Sequence, residues 1–186
     1  KMQLVLLAVI MISGMLFQIY NGYYNFEIVH YLTELYFLEF LSFLIWALLS
    51  IFIQTLIGNP YLGLFVLLVI SIGMPFLSLA GIEQSIFKYN QGPGFNYSDM
   101  NAYGILEPYL WYKIYWILAG LTLFIVSFLF WVRGIPNSFK ERLSIAGSRF
   151  KGFAAISFSV LLLGFLAIGF SIYQATGTKA KRTSSK

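Results

Sequence analysis

Five apolar runs, each about as long as a bilayer is thick, dominate the chain. They cover residues 3–20, 35–57, 61–82, 109–132 and 153–173. A helix needs roughly 20 residues to cross the hydrocarbon core of a membrane. Lipid offers no partner for unpaired backbone groups, and these runs lack the alternation of a barrel strand, so they are expected to be helices. The sequence therefore predicts an all-α polytopic membrane protein with about five transmembrane helices.

The charge content argues against a soluble domain. Charged residues make up 10% of the 186 positions and hydrophobic residues 59%, whereas soluble domains carry roughly 25% charged residues. So few charges could not cover the surface of a soluble fold, and lipid is the expected solvent. The chain has no cysteine and one histidine, which excludes thiol catalysis, disulfides and zinc sites built on paired histidines.

A tight turn predicts how the second and third runs pair. Gly58, Asn59 and Pro60 stand between them, with glycine ending one helix and proline opening the next. These two helices are therefore expected to form an antiparallel hairpin. Pro75 is expected to kink or locally open the third helix, because proline removes one backbone hydrogen bond.

The chain begins with an apolar run and ends with a polar, basic tail. The first run follows a basic residue, as in a signal peptide, but no A-x-A-like cleavage site comes after it. It is long enough to span, so we expect a helix that stays in the protein. The last residues, 176–186, are polar and basic and are expected to form a disordered tail. Residues 1–175 are interpreted as one transmembrane domain.

Basic residues predict the orientation in the membrane. Five of them lie between the fourth and fifth runs: Arg133, Lys140, Arg142, Arg149 and Lys151. Loops rich in Lys and Arg stay on the cytoplasmic side, so the loop 133–152 is predicted to be cytoplasmic and the C-terminus to lie on the opposite face. The basic tail opposes this orientation, but the acidic loops then share one side, which favours it.

A basic amphipathic helix is predicted within this loop, at residues 138–150. Ser138 and Glu141 form an S-x-x-E capping box at its start. Apolar residues then recur at helical spacing: Phe139, Leu143, Ala146 and Phe150. Basic residues fall largely outside this stripe, which is typical of a helix in the membrane interface.

Two roles are open for this amphipathic helix. It could be an anchor held by anionic lipid, or a docking surface for a soluble partner such as an ATPase subunit. The side chains that would contact lipid or partner are Phe139, Lys140, Arg142, Leu143 and Arg149.

Polar residues whose side chains could bind a metal or take part in catalysis lie just before and within the second run. Glu27, His30 and Glu34 share one helical face with Tyr31. The spacing E-x-x-H supplies two ligands in carboxylate metal sites of helical bundles, but few acids remain elsewhere to complete such a site. A polar face on an interfacial helix, or one lining a wet cavity, is favoured, and no metal or cofactor is predicted. Glu39 lies either at headgroup level or deeper, where it would need a partner.

The polar stretch NYSDMNAYG occupies residues 96–104, between the third and fourth runs. Ser98 or Asp99 can cap a short helical turn that Gly104 ends. Asp99 and Asn101 are therefore interpreted as capping residues first and as functional residues second. The single histidine lies in a different loop, so no nucleophile–base pair is visible, no catalytic residue is predicted and the chain is not expected to be an enzyme.

The same stretch carries a family resemblance, together with WVRGI and KERLSIAGSRF downstream and YYNFEIVHYLTEL and IQTLIGNPYLG upstream. These segments resemble the permease portion of bacterial ABC-type proteins fused to a zinc aminopeptidase domain, over roughly residues 23–173. Ala102 stands where the family motif has glycine, so this position need not adopt a positive φ. The peptidase motif H-E-x-x-H is absent, so the resemblance implies a transport role without hydrolase activity.

The resemblance implies a membrane-embedded permease segment of an ABC-type exporter in the bacterial inner membrane. A permease half usually has six spans, so five suggest a segment that lacks an earlier helix. The chain has no Walker motif, so a separate ATPase subunit is the expected partner, with the lipid bilayer and other transmembrane helices. Nucleic acid is not expected, because the aromatic residues lack a basic groove.

Two further functions remain open. One is a non-catalytic scaffold or assembly subunit of a membrane complex, in which the aromatic loops pack against partners. The other is an intramembrane enzyme that uses Glu27, His30 and Glu34.

Overall fold

The computed structural model shows an all-α chain. It describes residues 2–24, 26, 28–82, 84–94, 106–131 and 139–184, and for Phe139 and 177–184 it describes the backbone alone. No strand occurs within these ranges. The helices are α1 (Met2–Tyr20), α2 (Ile28–Tyr31), α3 (Phe40–Ile57), α4 (Pro60–Phe76), α5 (Glu107–Phe130), α6 (Phe139–Arg149) and α7 (Phe153–Ser184). A π-helical segment, Leu32–Glu39, joins α2 to α3 without a break, and a 3-10 turn covers Ser85–Phe87.

Four of these helical stretches are long and apolar enough to cross a membrane. They are α1, the continuous helix Ile28–Ile57, α5, and the part of α7 from Phe153 to Thr176. The predicted class, an all-α polytopic membrane protein, is confirmed. The number of full-length candidate spans differs from the expected five, because α4 has only 17 residues.

Helix α4 begins as predicted and ends early. The Asn59 side chain accepts hydrogen bonds from the N–H groups of Tyr61 and Leu62, at 3.0 and 3.3 Å, and Pro60 is the first helical residue. The helix ends at Phe76, and turns follow where the sequence predicted helix up to residue 82. Pro75 lies in the last turn, so the bond that its missing N–H leaves unmade, to the Ser71 carbonyl, falls at the end of α4 and no longer helix follows it to be kinked.

The first of two compact units, Lys1–Leu44, is built from α1 and the π-helical segment. Leu7 and Leu38 are fully buried in it. The Tyr31 ring faces Gly14, and the Tyr36 hydroxyl donates to the Leu4 carbonyl at 3.3 Å. The two pairs run in opposite order along the chain, so α1 lies antiparallel to α2 and the π-helical segment.

The second unit, Ile45–Lys186, is a helical bundle. α3 and α4 form the predicted hairpin, and Gly63 of α4 faces the Gln54 side chain of α3. α5 and α7 pack antiparallel, because Gly164 faces Leu118 and Gly169 faces Tyr115. The core of this unit contains Ile45, Leu49, Ile53, Ile86, Tyr89, Tyr115, Trp116 and Ile172. It therefore includes two side chains, Ile86 and Tyr89, from the loop between α4 and α5.

In the C-terminal half of the chain, the observed limits of α6 agree with the prediction and those of α7 do not. α6 agrees with the predicted helix at 138–150 to within one residue at each end, while Ser138 and hence the proposed capping box lie outside the described residues. The backbone of α7 is helical to Ser184, where the sequence predicted disorder from residue 176. This segment contains no proline, and its alanine, lysine and arginine residues are strong helix formers, so the helix continues.

Candidate functional site

Specific polar contacts cluster at two opposite ends of the second unit. The first cluster forms where α6 meets the C-terminal ends of α3 and α5, and we call it the α6 end. The second forms where the residues 84–94, the docked loop, enter the bundle, and we call it the loop end. Along α5, Tyr115 belongs to the loop end and Phe130 to the α6 end, and this separation corresponds to roughly 22 Å of helix.

At the α6 end, Arg142 binds the C-terminal end of α3. Its Nη1 donates to the Leu56 carbonyl at 3.0 Å, and its Nη2 donates to the Thr55 carbonyl. The last carbonyls of a helix lack partners within the helix and carry partial negative charge. Gly58 adopts φ +70°, and its N–H donates a hydrogen bond to the Gln54 carbonyl at 3.0 Å. The next two carbonyls are therefore open to the guanidinium.

Arg149 makes the corresponding contact with α5. Its Nη1 donates to the carbonyl of Trp131, the residue that follows α5, at 2.5 Å. The guanidinium is a charged donor, and its hydrogen bonds are stronger than those between neutral groups. Through Arg142 and Arg149, α6 is fastened to the ends of two helices of the bundle.

These contacts place the predicted docking residues of α6 in different surroundings. The sequence assigned Arg142 and Arg149 to lipid or partner docking, but both side chains bind carbonyls of neighbouring helices. Ala146 is buried beside them, whereas Leu143 is 54% exposed and Lys140 is also exposed. Unpaired helix-end carbonyls attract both guanidinium groups, and Arg142 is partly buried while Arg149 stays exposed. Of the predicted docking residues, Lys140, Leu143 and Arg149 remain exposed, and the Phe139 side chain lies outside the described residues.

At the loop end, Tyr89 is the central residue of the docked loop. Its hydroxyl donates to the Ile45 carbonyl at 2.8 Å. Its ring packs edge to face against Trp46 and Trp116, with centroids 5.4 and 5.0 Å apart. Burial raises the pKa of the Tyr89 phenol above its ordinary value because the anion would lose its hydration. The phenol therefore stays a neutral donor, and it links the loop to α3.

Side chains of α5 satisfy polar groups of the docked loop. Trp116 donates from Nε1 to the Gln91 carbonyl at 2.9 Å, and the Lys113 ammonium donates to Asn90 Oδ1 at 2.9 Å. Asn90 adopts φ +58°, a left-handed conformation that asparagine tolerates better than most residues. Non-helical backbone at membrane depth is tolerated when protein covers it. The aromatic residues of α5 provide this cover.

Two lysine side chains are buried at the loop end. Lys88 is 6% exposed and donates from Nζ to Ser78 Oγ at 2.5 Å, and Lys113 is 7% exposed with its Nζ 5.2 Å from the centre of the Tyr109 ring. Burial of an ammonium group costs several kcal/mol unless partners compensate it. Ionisable residues inside a membrane protein are functional candidates for this reason. The loop end is therefore the strongest candidate site.

Sequence reasoning did not assign these two lysines to a site. Lys113 lies inside the fourth apolar run, so the rule that treats intramembrane ionisable residues as functional candidates would have found it. Lys88 lies in the loop between the third and fourth apolar runs, where a lysine is ordinary. Its burial depends on the docking of the loop, for which the sequence contains no signal that we recognise.

The predicted site residues of the first unit are only partly brought together. His30 Nε2 and Glu34 Oε1 lie 3.4 Å apart. Glu39 ends the π-helical segment and is exposed. Among the residues that the structure describes, no group of three His, Asp or Glu side chains is placed to hold a metal ion. Glu27, Asp99 and Asn101 lie outside the described residues, so their predicted roles stay predictions.

Close packing at Gly169 gives a test of how tightly the loop end is built. A Cβ at Gly169 would lie 2.8 Å from the Tyr115 ring, whereas a Cβ at Gly164 would lie 3.4 Å from Leu118. We expect Gly169→Ala to lower the free energy of unfolding by about 1–3 kcal/mol, the usual cost of overpacking. Gly164→Ala, on the same helix, is the control and is expected to be neutral or slightly stabilising. Unfolding in mixed detergent micelles measures both, and equal stabilities would contradict the packing at Tyr115.

Comparison with known proteins gives no match to this chain. No family model matches it, and neither a curated protein nor a solved structure does so. The resemblance carried by NYSDMNAYG therefore stays a prediction. The contacts at the α6 end and the loop end are the structural features that bear on function.

Proposed function

We propose that the chain is the membrane-embedded permease segment of an ABC-type exporter that works with a separate ATPase subunit docked on α6. The observation that carries this proposal is the pair of arginine contacts from α6 to the ends of α3 and α5. The sequence resemblance to permeases of this type supports it independently. In this proposal α6 lies on the cytoplasmic side of a bacterial inner membrane, as the basic loop 133–152 predicts.

The contacts of α6 suit a role in transmission. A helix that is bound by charged hydrogen bonds to two bundle helices moves together with their ends. Both helices extend to the loop end, where Ile45 of α3 and Trp116 of α5 contact the docked loop. Coupling between distant sites is carried by such packed, rigid elements. A displacement of α6 by an ATPase would therefore reach the docked loop along two routes.

The outward surface of α6 fits a protein partner better than a lipid surface. Arg142 is partly buried and donates to carbonyls at the end of α3, whereas Arg149 donates to the Trp131 carbonyl and stays exposed. The exposed side of the helix presents Lys140 and Leu143 among the small residues Ser144, Gly147 and Ser148. Small residues permit close approach of another backbone. The exposed charges of α6 are Lys140, Glu141 and Arg149, whose small net charge gives little attraction to an anionic membrane. This arrangement favours docking over the alternative of a lipid anchor.

Substitutions on this surface test the proposal. The full chain is co-expressed with a candidate ABC-type ATPase subunit, and co-purification and ATP hydrolysis in proteoliposomes are measured. We expect the double variant Lys140→Glu, Leu143→Ala to reduce co-purification about tenfold, corresponding to about 1.4 kcal/mol of binding free energy. Leu163→Ala, an exposed leucine of α7, is the matched control and should leave association unchanged.

The outcomes separate the permease from the alternative functions. Unchanged association of the double variant would contradict docking on α6. Association without ATP-dependent transport, in the wild type and in every variant, would favour a scaffold or assembly subunit. In a permease, Arg142→Gln is expected to retain the ATPase subunit but to lose its stimulation, because the docking surface is kept while the link to α3 is broken.

A further inference from the structure

The charges of α6 and of the residues that follow it are unevenly distributed. Lys140 and Glu141 lie side by side at the start of α6, where their charges offset each other. Arg149 ends α6 and Lys151 follows it, so two positive charges lie within three residues. Glu141 is the only acidic residue between α5 and α7, and it lies about 12 Å from Arg149 along the helix axis. The residues 149–153, which we call the α6–α7 turn, therefore form a local positive site.

The α6–α7 turn presents its two basic side chains at the surface. The Lys151 N–H donates to the Arg149 carbonyl at 2.8 Å, and Gly152 adopts φ +56°, so the turn is tight. Both basic side chains are exposed. Arg149 Nη1 donates to the Trp131 carbonyl at 2.5 Å, which orients a guanidinium that has five N–H donors. Because the side chain is exposed, its other donors can reach a ligand outside the bundle.

The α6–α7 turn lies at the edge of the apolar surface of the bundle. α5 and α7 pack antiparallel with Leu118 beside Gly164, and this pairing, continued toward the α6 end, brings Phe130 level with Phe153. These two residues are the last and the first of their apolar spans. Each span has 24 residues, or about 36 Å, so it crosses a hydrocarbon core of about 30 Å with little to spare. A bilayer that covers both spans places the turn in its headgroup layer.

Exposed apolar side chains flank the turn on the membrane side. Phe153 is 85% exposed, and Ile156, about one helical turn further along α7, is 64% exposed. Trp131, whose carbonyl binds Arg149, is also exposed, and tryptophan is enriched at membrane interfaces. Such side chains contact acyl chains, whereas the adjacent positive charges attract phosphate groups. The two parts together match a phospholipid, while a free anion would use the charged part alone.

We infer that the α6–α7 turn binds an anionic phospholipid, with Arg149 and Lys151 at its headgroup and Phe153 and Ile156 along an acyl chain. Two positive charges on one turn favour a headgroup with net negative charge over a zwitterionic one. Lys140, which belongs to the proposed docking surface, lies about 13 Å from Arg149 along α6. Lipid binding at the turn requires no ATPase subunit and is tested on the chain alone, so its failure would leave the proposed function untouched.

Lipid competition measures the headgroup preference of the turn. The full chain in detergent is mixed with equal amounts of dioleoyl phosphatidylglycerol and dioleoyl phosphatidylcholine, and the bound lipid is counted by native mass spectrometry. The two lipids have the same acyl chains, so they differ in the headgroup alone. The buffer is ammonium acetate at about 0.15 M, in which charges are screened beyond about 8 Å. We expect about a tenfold preference for phosphatidylglycerol, with about a threefold contribution from each basic residue.

Variants of matched charge separate this site from the overall charge of the protein. Lys151→Gln is expected to lower the preference to about threefold, and Lys151→Arg to keep it because the charge is kept. Lys140→Gln removes the same charge from the exposed surface of α6. At about 13 Å this charge is screened from the site, so the preference should stay as in the wild type. Phe153→Ala shortens the acyl-chain contact, so less of both lipids should bind at an unchanged preference.

Arg149 requires a folding control, because it also binds the Trp131 carbonyl. The double variant Arg149→Gln, Lys151→Gln is expected to bind the two lipids about equally. Thermal unfolding in detergent without added lipid shows whether this variant is folded. If it is not, Lys151→Gln and Lys140→Gln carry the test, since each removes an exposed charge.

A wild-type chain that binds both lipids equally would overturn the inference without any variant. A folded Lys151→Gln chain with the wild-type preference would do the same. A Lys140→Gln chain that loses as much preference as Lys151→Gln would show that the overall charge, and no particular site, attracts the lipid. Inorganic phosphate, added as a second probe, is expected to leave the bound lipid in place, and displacement would indicate a free-anion site instead.

Discussion

Replacing Arg142 with glutamine is expected to lower the free energy of unfolding by about 2–4 kcal/mol. The substitution removes the donors for the carbonyls of Thr55 and Leu56, which then remain as unpaired acceptors at the end of α3. Glutamine is too short to bridge both carbonyls and carries no charge to complement the helix dipole. Unfolding in mixed detergent micelles provides the measurement.

The chemistry of the guanidinium predicts the pattern across related variants. Arg142→Lys should recover less than half of the loss, because an ammonium cannot present two fixed, parallel donors as a guanidinium does. Lys151→Gln removes an exposed basic residue two positions after Arg149 and is the control, with an expected change below about 0.5 kcal/mol. An Arg142→Gln variant as stable as the control would contradict the role of Arg142 in holding the end of α3.

Replacing Tyr89 with alanine is expected to release the docked loop and to cost about 3–5 kcal/mol, the usual effect of deleting a buried aromatic side chain. The variant loses the ring contacts with Trp46 and Trp116 together with the hydrogen bond to Ile45. Thermal unfolding measures the stability. Limited proteolysis at residues 84–94 measures the accessibility of the loop, which should rise strongly.

Two variants divide the effect of Tyr89 into its parts. Tyr89→Phe keeps the ring and removes the hydroxyl, so its expected cost is about 1 kcal/mol, the value of one buried hydrogen bond. Phe87→Ala, in the same loop, removes an exposed ring and should leave stability and proteolysis near wild type. A loop that stays protected in Tyr89→Ala would show that other contacts, such as that between Trp116 and Gln91, are sufficient to hold it.

Several features of the fold could be predicted because they depend on local sequence. Runs of about 20 apolar residues predict membrane helices whatever surrounds them. The turn at Gly58, Asn59 and Pro60 forms as expected, since left-handed backbone favours glycine and the first turn of a helix tolerates proline. The limits of α6 followed from its periodicity. Pro75 predicted a disturbance at the right place, although the helix ends there instead of continuing with a kink.

The candidate site was predicted less well, because its contacts join residues far apart in sequence. Arg142 binds carbonyls 86 and 87 positions away, and no local pattern distinguishes such an arginine from one that faces lipid. Lys88 is a charged loop residue in the sequence and a buried one in the structure. The periodicity of α6 indicated an apolar stripe, but the partial charges at the ends of α3 and α5 decide which side of the helix faces inward.

The sequence by itself determined the solvent of this protein, its helical class, its hairpin turn and the approximate position of its helices, because hydropathy and the conformational limits of glycine and proline act over a few residues. Only the tertiary structure decided where the charged groups are placed. The orientation of the two arginines of α6 and the burial of two lysines at the loop end depend on unpaired carbonyls, hydroxyls and aromatic rings that other helices bring to them. Such partners are set by the packing of the bundle, and the proposed docking surface follows from it.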